Sequence, residues 1–160
     1  MVSLDHIHTL FLVRCQKPIP WILPALRYVY LNNSPSSLEN LAFLPPSVCS
    51  IRIDLQYDTH QFVMPKWSEL RSLSALPKMS SLRLTLFDVT TTPDETSCQI
   101  IAEVASTMAD FSFCFQRSNG LIDDCRAFIE QLRYRILTVS GKNQPCYTVS
   151  SLGCELIVWF

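Results

Sequence analysis

Glycine is scarce in this chain of 160 residues, at three. So few glycines can hardly build the backbone-donating loops that cradle phosphates, and no GxGxxG, P-loop or GxSxG string occurs. A basic excess is missing too: Lys and Arg number 13 against 14 Asp and Glu, for a formal net charge of −1. Duplex nucleic acid and anionic membrane surfaces usually draw on such an excess, so neither is an expected partner. No apolar run approaches the roughly 18–20 residues of a bilayer span. The N-terminal MVSLDHIHTLFLVRC lacks a basic segment followed by a small-residue cleavage site, and a soluble, unprocessed chain is expected. The seven cysteines (Cys15, Cys49, Cys98, Cys114, Cys125, Cys146, Cys154) include no CxxC pair. Several alternate with or replace apolar residues, which fits reduced core thiols in the cytosol or nucleus.

What the chain does have is apolar material, 48% of its residues against 17% charged, enough for one core. That material is organised. LPPSVCSIRIDLQ (44–56) and LPKMSSLRLTLFD (76–88) share an order: an apolar residue, two others, then apolar residues at alternate positions. Val48, Ile51, Ile53 and Leu55 form one copy; Met79, Leu82, Leu84 and Leu86 the next; Met108, Phe111, Phe113 and Phe115 a third. Leu23, Leu26, Tyr28 and Tyr30 read as an earlier copy, and Ile7, Leu10 and Leu12 as a weaker first one. Alternation at period two predicts strands with one buried and one open face. Leu26, Ile51, Leu82 and Phe111 should then occupy equivalent rungs, at a spacing of about 25–31 residues typical of stacked repeats.

Helix-like segments lie between these strings. SSLENLAFL (36–44) puts Leu38, Leu41 and either Phe43 or Leu44 on one side. PKWSELRSLSAL (65–76) spaces Trp67, Leu70, Leu73 and Leu76 three apart, and PDETSCQIIAEVASTM (93–108) opens with proline and two acids, as a helix N-terminus prefers. Strand, helix and strand in constant order imply a parallel sheet with right-handed crossovers. The polar alternates Arg52, Asp54, Arg83 and Thr85 leave one face wet, which favours a solenoid with an inner, concave sheet and outer helices over a doubly wound sheet covered on both faces.

WILPALRYVYLNN, LPPSVCSIRIDLQ and LPKMSSLRLTLFD resemble leucine-rich repeats, and their irregular lengths look like the repeat region of F-box leucine-rich-repeat proteins. The likeness spans about residues 4–116. It departs from the pattern where many such repeats carry asparagine: Leu31, Gln56 and Phe87 stand there, and no F-box-like helical segment precedes the first copy. The resemblance implies a protein-interaction module, a C-terminal portion or truncated relative, serving substrate recognition in a cullin-type ubiquitin ligase. Ligase subunits would then be reached through a longer parent chain.

Residues 117–160 break the period. GLIDDCRAFIEQLRYRIL aligns Ile122, Cys125, Phe128, Ile129, Leu132 and Ile136 on one helical face, and CYTVSSLGCELIVWF alternates Leu156, Val158 and Phe160 as a last strand. This tail reads as a capping unit beside the repeat region 1–116.

The repeat register suggests a site. The first outward residues of successive strands are Arg27, Arg52, Arg83 and Ser112; the second are Val29, Asp54, Thr85 and Cys114; the third are Leu31, Gln56, Phe87 and Gln116. Three adjacent guanidiniums repel one another and favour a carboxylate-bearing partner. The expected partner-binding residues are therefore Arg27, Arg52, Asp54, Arg83, Thr85 and Phe87, facing an acidic protein segment, although arginine in such strands is often merely solvated.

Catalysis is not expected. His6 and His8 in DHIH could share a metal, but Asp5 and Cys15 are the only local additions, short of a well-formed four-ligand zinc set. A thiol hydrolase would have to combine His60 with Cys49 or Cys98, neither in a nucleophile context. Asp94, Glu95, Asp123 and Asp124 sit at helix starts, where negative charge is stabilising without chemistry. Neither a cofactor nor a metal is expected. The alternatives are a small doubly wound nucleotide-binding or enzymatic domain, which would need Arg52, Asp54, Arg83 and Thr85 covered, and a structural fragment of a longer repeat protein.

Overall fold

The computed structural model describes residues 4–13, 23–32, 38, 41–56, 66–88, 90–116, 122–140, 146–150 and 154–160. Among the described residues seven strands form one open sheet: β1 (Thr9–Val13), β2 (Tyr28–Asn32), β3 (Ser50–Gln56), β4 (Ser81–Phe87), β5 (Asp110–Gln116), β6 (Cys146–Val149) and β7 (Glu155–Trp159). Their order is β1-β2-β3-β4-β5-β7-β6. β1 to β5 run parallel in sequence order; β7 returns antiparallel against β5, and β6 pairs antiparallel with β7. A 3₁₀ helix (Trp67–Ala75), α1 (Glu95–Ala105) and α2 (Ile122–Val139) pack with this sheet in a mixed α/β fold. No described helix is long and apolar enough to cross a membrane.

One local unit recurs. A tight turn closes before each parallel strand, with Ile7 N–H on the Leu4 carbonyl, Leu26 on Leu23, Val48 on Pro45, Met79 on Leu76 and Met108 on Ala105. One residue further on, a single carbonyl accepts two N–H groups of the next unit: His8 from Arg27 and Tyr28, Arg27 from Cys49 and Ser50, Cys49 from Ser80 and Ser81, Ser80 from Ala109 and Asp110. The apolar residue, two-residue gap and alternating run thus have a backbone cause. The first apolar side chain plugs the turn, and the next begins the ladder.

The observed register is Leu10, Val29, Ile51, Leu82 and Phe111 on one rung, then Leu12, Leu31, Ile53, Leu84 and Phe113. The rung containing Ile51, Leu82 and Phe111 is as expected, but Leu26 is not on it. Leu26 plugs the turn, as Val48 and Met79 do, and Val29 takes the rung. In WILPALRYVYLNN the three-residue spacing occurs twice, at Leu23–Leu26 and Leu26–Val29, so the string fits two registers. A one-residue slip exchanges the faces of a strand. Burying Val29 and Leu31 hides only hydrocarbon, whereas burying Tyr28 and Tyr30 would also desolvate two phenols. Tyr28 is accordingly exposed and Tyr30 partly so.

The core is continuous: the inward strand residues meet Trp67, Leu70 and Leu73 of the 3₁₀ helix, Ile101, Val104 and Ala105 of α1, and Phe128, Ile129 and Leu132 of α2. Each fully buried aliphatic or aromatic side chain contributes about 1.5–3 kcal/mol. The segment read as helix-like over 65–76 is 3₁₀ because its apolar residues repeat every three, the period of that helix, and so share one edge. α1 starts later than its proline: Asp94 caps it by accepting from Ser97 N–H at 2.8 Å. In the earlier helix-like segment Leu38, Leu41 and Leu44 are buried and Phe43 is exposed. Arg71 ties the 3₁₀ helix to Glu103 of α1, and Arg135 of α2 reaches Glu95 and Gln99. The tail supplies α2, β6 and β7, with Leu156 and Val158 turned into the core.

Candidate protein-binding face of the sheet

Side chains that alternate with the core rungs form rows across the other face. The row nearest the strand starts is Thr9, Tyr28, Ser50, Ser81 and Asp110; the next is Phe11, Tyr30, Arg52, Arg83 and Ser112; the third is Val13, Asn32, Asp54, Thr85 and Cys114. A fourth carries Gln56, Phe87 and Gln116. Arg52 and Arg83 therefore stand side by side as expected, each with its side chain 46% exposed.

Arg27 does not join them. It lies just before β2, exposed, at the turn position shared with Cys49 and Ser80, and its carbonyl rather than its guanidinium serves the ladder. Tyr30 fills the place assigned to it, so the row is one tyrosine and two arginines. The same correction moves Val29 and Leu31 from the open face into the core and puts Asn32 beside Asp54.

Asp54 and Thr85, expected at the surface, are buried, at 2% and 0% exposure. Asp54 is enclosed by its own ligands. Arg52 donates from Nε and Nη2 to the two carboxylate oxygens at 3.1 and 2.8 Å, and the Tyr30 hydroxyl donates at 2.7 Å. The Arg52 guanidinium also lies over the Tyr30 ring, 5.0 Å from its centroid, and Asn32 Nδ2 donates to the Tyr30 hydroxyl. Burial, then the bond to Asp54, hold the Tyr30 phenol above its usual range; the bond to Asp54 raises Arg52 further. Arginine and carboxylate two apart on one strand face the same way, so this pair is dictated locally.

Beyond this network the face loosens. Arg83 Nη2 lies 3.9 Å from Glu155 of β7, a distant ion pair. The Thr85 and Ser112 hydroxyls are buried with no hydrogen-bond partner among the described residues. Phe87 is half-buried at the strand end. Next to it Asp88 adopts a positive φ of 52°, a conformation Asp tolerates, and donates its N–H to the Gln116 carbonyl. At the other edge Phe11 meets Tyr30 edge-to-face, with ring centroids 5.7 Å apart. The reading from sequence missed Tyr30, Phe11 and Glu155. The phenolic oxygens of YVY were the available signal that these tyrosines face outward.

Features considered for chemistry are dispersed. His6 and His8 are exposed, and His8 Nδ1 donates to the Ala25 carbonyl at 3.0 Å. Among the described residues no group of three His, Cys, Asp or Glu could hold a metal. Cys15 and His60 lie outside the described residues. Burial pushes the thiols of Cys98 and Cys114 up to about 11, away from nucleophilic readiness. No family model, curated protein or solved structure matches this chain.

Proposed function

We propose that the chain is a non-catalytic protein-interaction module of leucine-rich-repeat type, binding a partner across the open face of its sheet. The observation that carries this reading is the row Phe11, Tyr30, Arg52 and Arg83 on adjacent strands. Tyrosine and arginine are the residue types that most often anchor interfaces, and here Asp54 fixes both in place before any partner arrives, which lowers the ordering cost of binding. Asp54 balances the charge of Arg52. Arg83 is then the cation best placed for a carboxylate of the partner, and Phe11 and Tyr30 favour an apolar or aromatic group beside it.

The resemblance to F-box leucine-rich-repeat proteins extends the proposal to substrate recognition for a cullin-type ubiquitin ligase. A doubly wound ligand-binding domain is less well supported. Such a domain binds where its strand order reverses, and β1 to β5 run in sequence order without a reversal.

The test is affinity capture from the native cell with mass spectrometry, followed by titration of a captured partner against Arg52→Gln/Arg83→Gln. A loss of at least about tenfold in affinity is expected. Unchanged binding would remove the open face as the site. Absence of cullin-complex subunits would remove the ligase setting alone.

A further inference from the structure

We infer that one copy of the repeat keeps its arginine but lacks the acid its neighbour carries, and that Arg83 takes that acid from the partner. The group recognised is a single aspartate or glutamate carboxylate, gripped by Arg83 as Asp54 is gripped by Arg52. This rests on the open-face reading and names the chemistry recognised there.

β3 (SIRIDLQ) and β4 (SLRLTLF) are neighbouring copies in register, with Arg52 beside Arg83 and Asp54 beside Thr85. On β3 the arginine and the acid two residues on close a bidentate pair at 3.1 and 2.8 Å, and the Tyr30 hydroxyl of the preceding strand donates to the same carboxylate. On β4 the arginine is kept and threonine stands where the acid was. Among the described residues Arg83 is left with Glu155, which reaches it from two strands away and stops at 3.9 Å, beyond hydrogen-bond distance. The filled site and the unfilled one thus lie side by side in the same sheet.

The surroundings ask for an oxygen acceptor. Thr85 and, on the row of Arg83, Ser112 hold buried hydroxyls with no hydrogen-bond partner among the described residues. A planar carboxylate can take two parallel N–H bonds from the arginine fork. A doubly charged phosphoryl group is disfavoured, because the carboxylates of Asp54 and Glu155 lie on either side and only Asp54 is balanced by a close pair. One incoming charge can be matched by exchange. The Glu155 side chain, 31% exposed, can turn to water when a partner carboxylate takes its place. Glu155 is therefore an internal competitor that sets the affinity of Arg83 for acids.

The experiment follows the Arg83 Nε–H resonance of the full chain at constant ionic strength. The probes are N-acetylaspartate methylamide, its asparagine counterpart and inorganic phosphate; the proteins are wild type, Glu155→Gln and Thr85→Asp. A saturable shift is expected with the aspartate probe and not with the asparagine one. Glu155→Gln should bind the aspartate probe about two- to fivefold more tightly, the range for loss of a partly exposed competing pair. Thr85→Asp, which supplies the acid internally, should move the Arg83 resonance toward that of Arg52 and weaken the probe at least about tenfold. Equal response to the asparagine probe, tighter binding of phosphate, or an affinity unchanged by Glu155→Gln would each overturn the inference. Should Thr85→Asp fail to fold, Glu155→Gln at its partly exposed site still decides. A captured partner that needs Arg52 and Arg83 yet is indifferent to Glu155→Gln would remove this inference and leave the open-face reading standing. A probe that behaves as expected, with no partner dependent on the arginines, would remove the open-face reading and leave the carboxylate subsite.

Discussion

Arg52 and Asp54, two residues apart on β3, form a bidentate pair on the open face, the carboxylate almost wholly out of water and the guanidinium half in it. The asymmetry predicts unequal mutants. Arg52→Ala strands a buried carboxylate and should cost on the order of 2 kcal/mol; Asp54→Asn, which leaves no buried charge, should cost less. Because Arg52 is partly solvated, the coupling energy in a double-mutant cycle should be about 1 kcal/mol. Urea denaturation measures all three, and a coupling of zero would contradict the geometry.

Tyr30 should titrate late. Its phenol is held above 10.0 by burial and by the bond to Asp54. An unfolded chain loses this proton first as pH rises, so the contribution is whole below the ordinary value and disappears as pH passes the raised one. Ultraviolet titration of the wild type minus Tyr30→Phe should show a phenolate appearing above the usual tyrosine range, and stability in alkali should fall less steeply in the variant.

The cap of α1 should show at the acid end. The Asp94 carboxylate accepts from Ser97, which lowers it below its usual 3.8. Here the sign is reversed: the unfolded chain binds the proton first, so the contribution is present above the ordinary value and lost as pH falls through the lowered one. Asp94→Asn keeps a capping oxygen without the charge and should flatten the acid limb of the stability curve. Asp94→Ala should lower stability at neutral pH as well.

Thiol reactivity should divide by burial. With Cys98 and Cys114 pushed to about 11, their thiolate fraction near pH 8 is about a thousandth. Alkylation followed by mass spectrometry should, among the described thiols, label the exposed Cys146 first and reach Cys98 and Cys114 only on unfolding. Rapid native labelling of Cys98 would mean that α1 opens far more readily than its packing allows.

The parallel strands could be read from the chain alone because each repeats one local device: a turn plug, two residues, then alternation of apolar and polar side chains. Ile51, Leu82 and Phe111 share a rung for that reason, and α1 and α2 follow from their own apolar faces and acidic starts. The adjacency of Arg52 and Arg83 follows as soon as the strands are aligned. Arg27 failed because WILPALRYVYLNN satisfies two registers. The spacing of apolar residues does not choose between them; the choice falls to the phenols of Tyr28 and Tyr30, which stay outside while Val29 and Leu31 enter the core.

The pattern of apolar residues thus determined by itself that this chain forms strands with one greasy face, since alternation is a property of the strand alone. The depth of Asp54 and Thr85 and the pairing of β7 with β5 were decided only in three dimensions. Burial depends on which strand lies next door, and neighbours distant in sequence are chosen by packing.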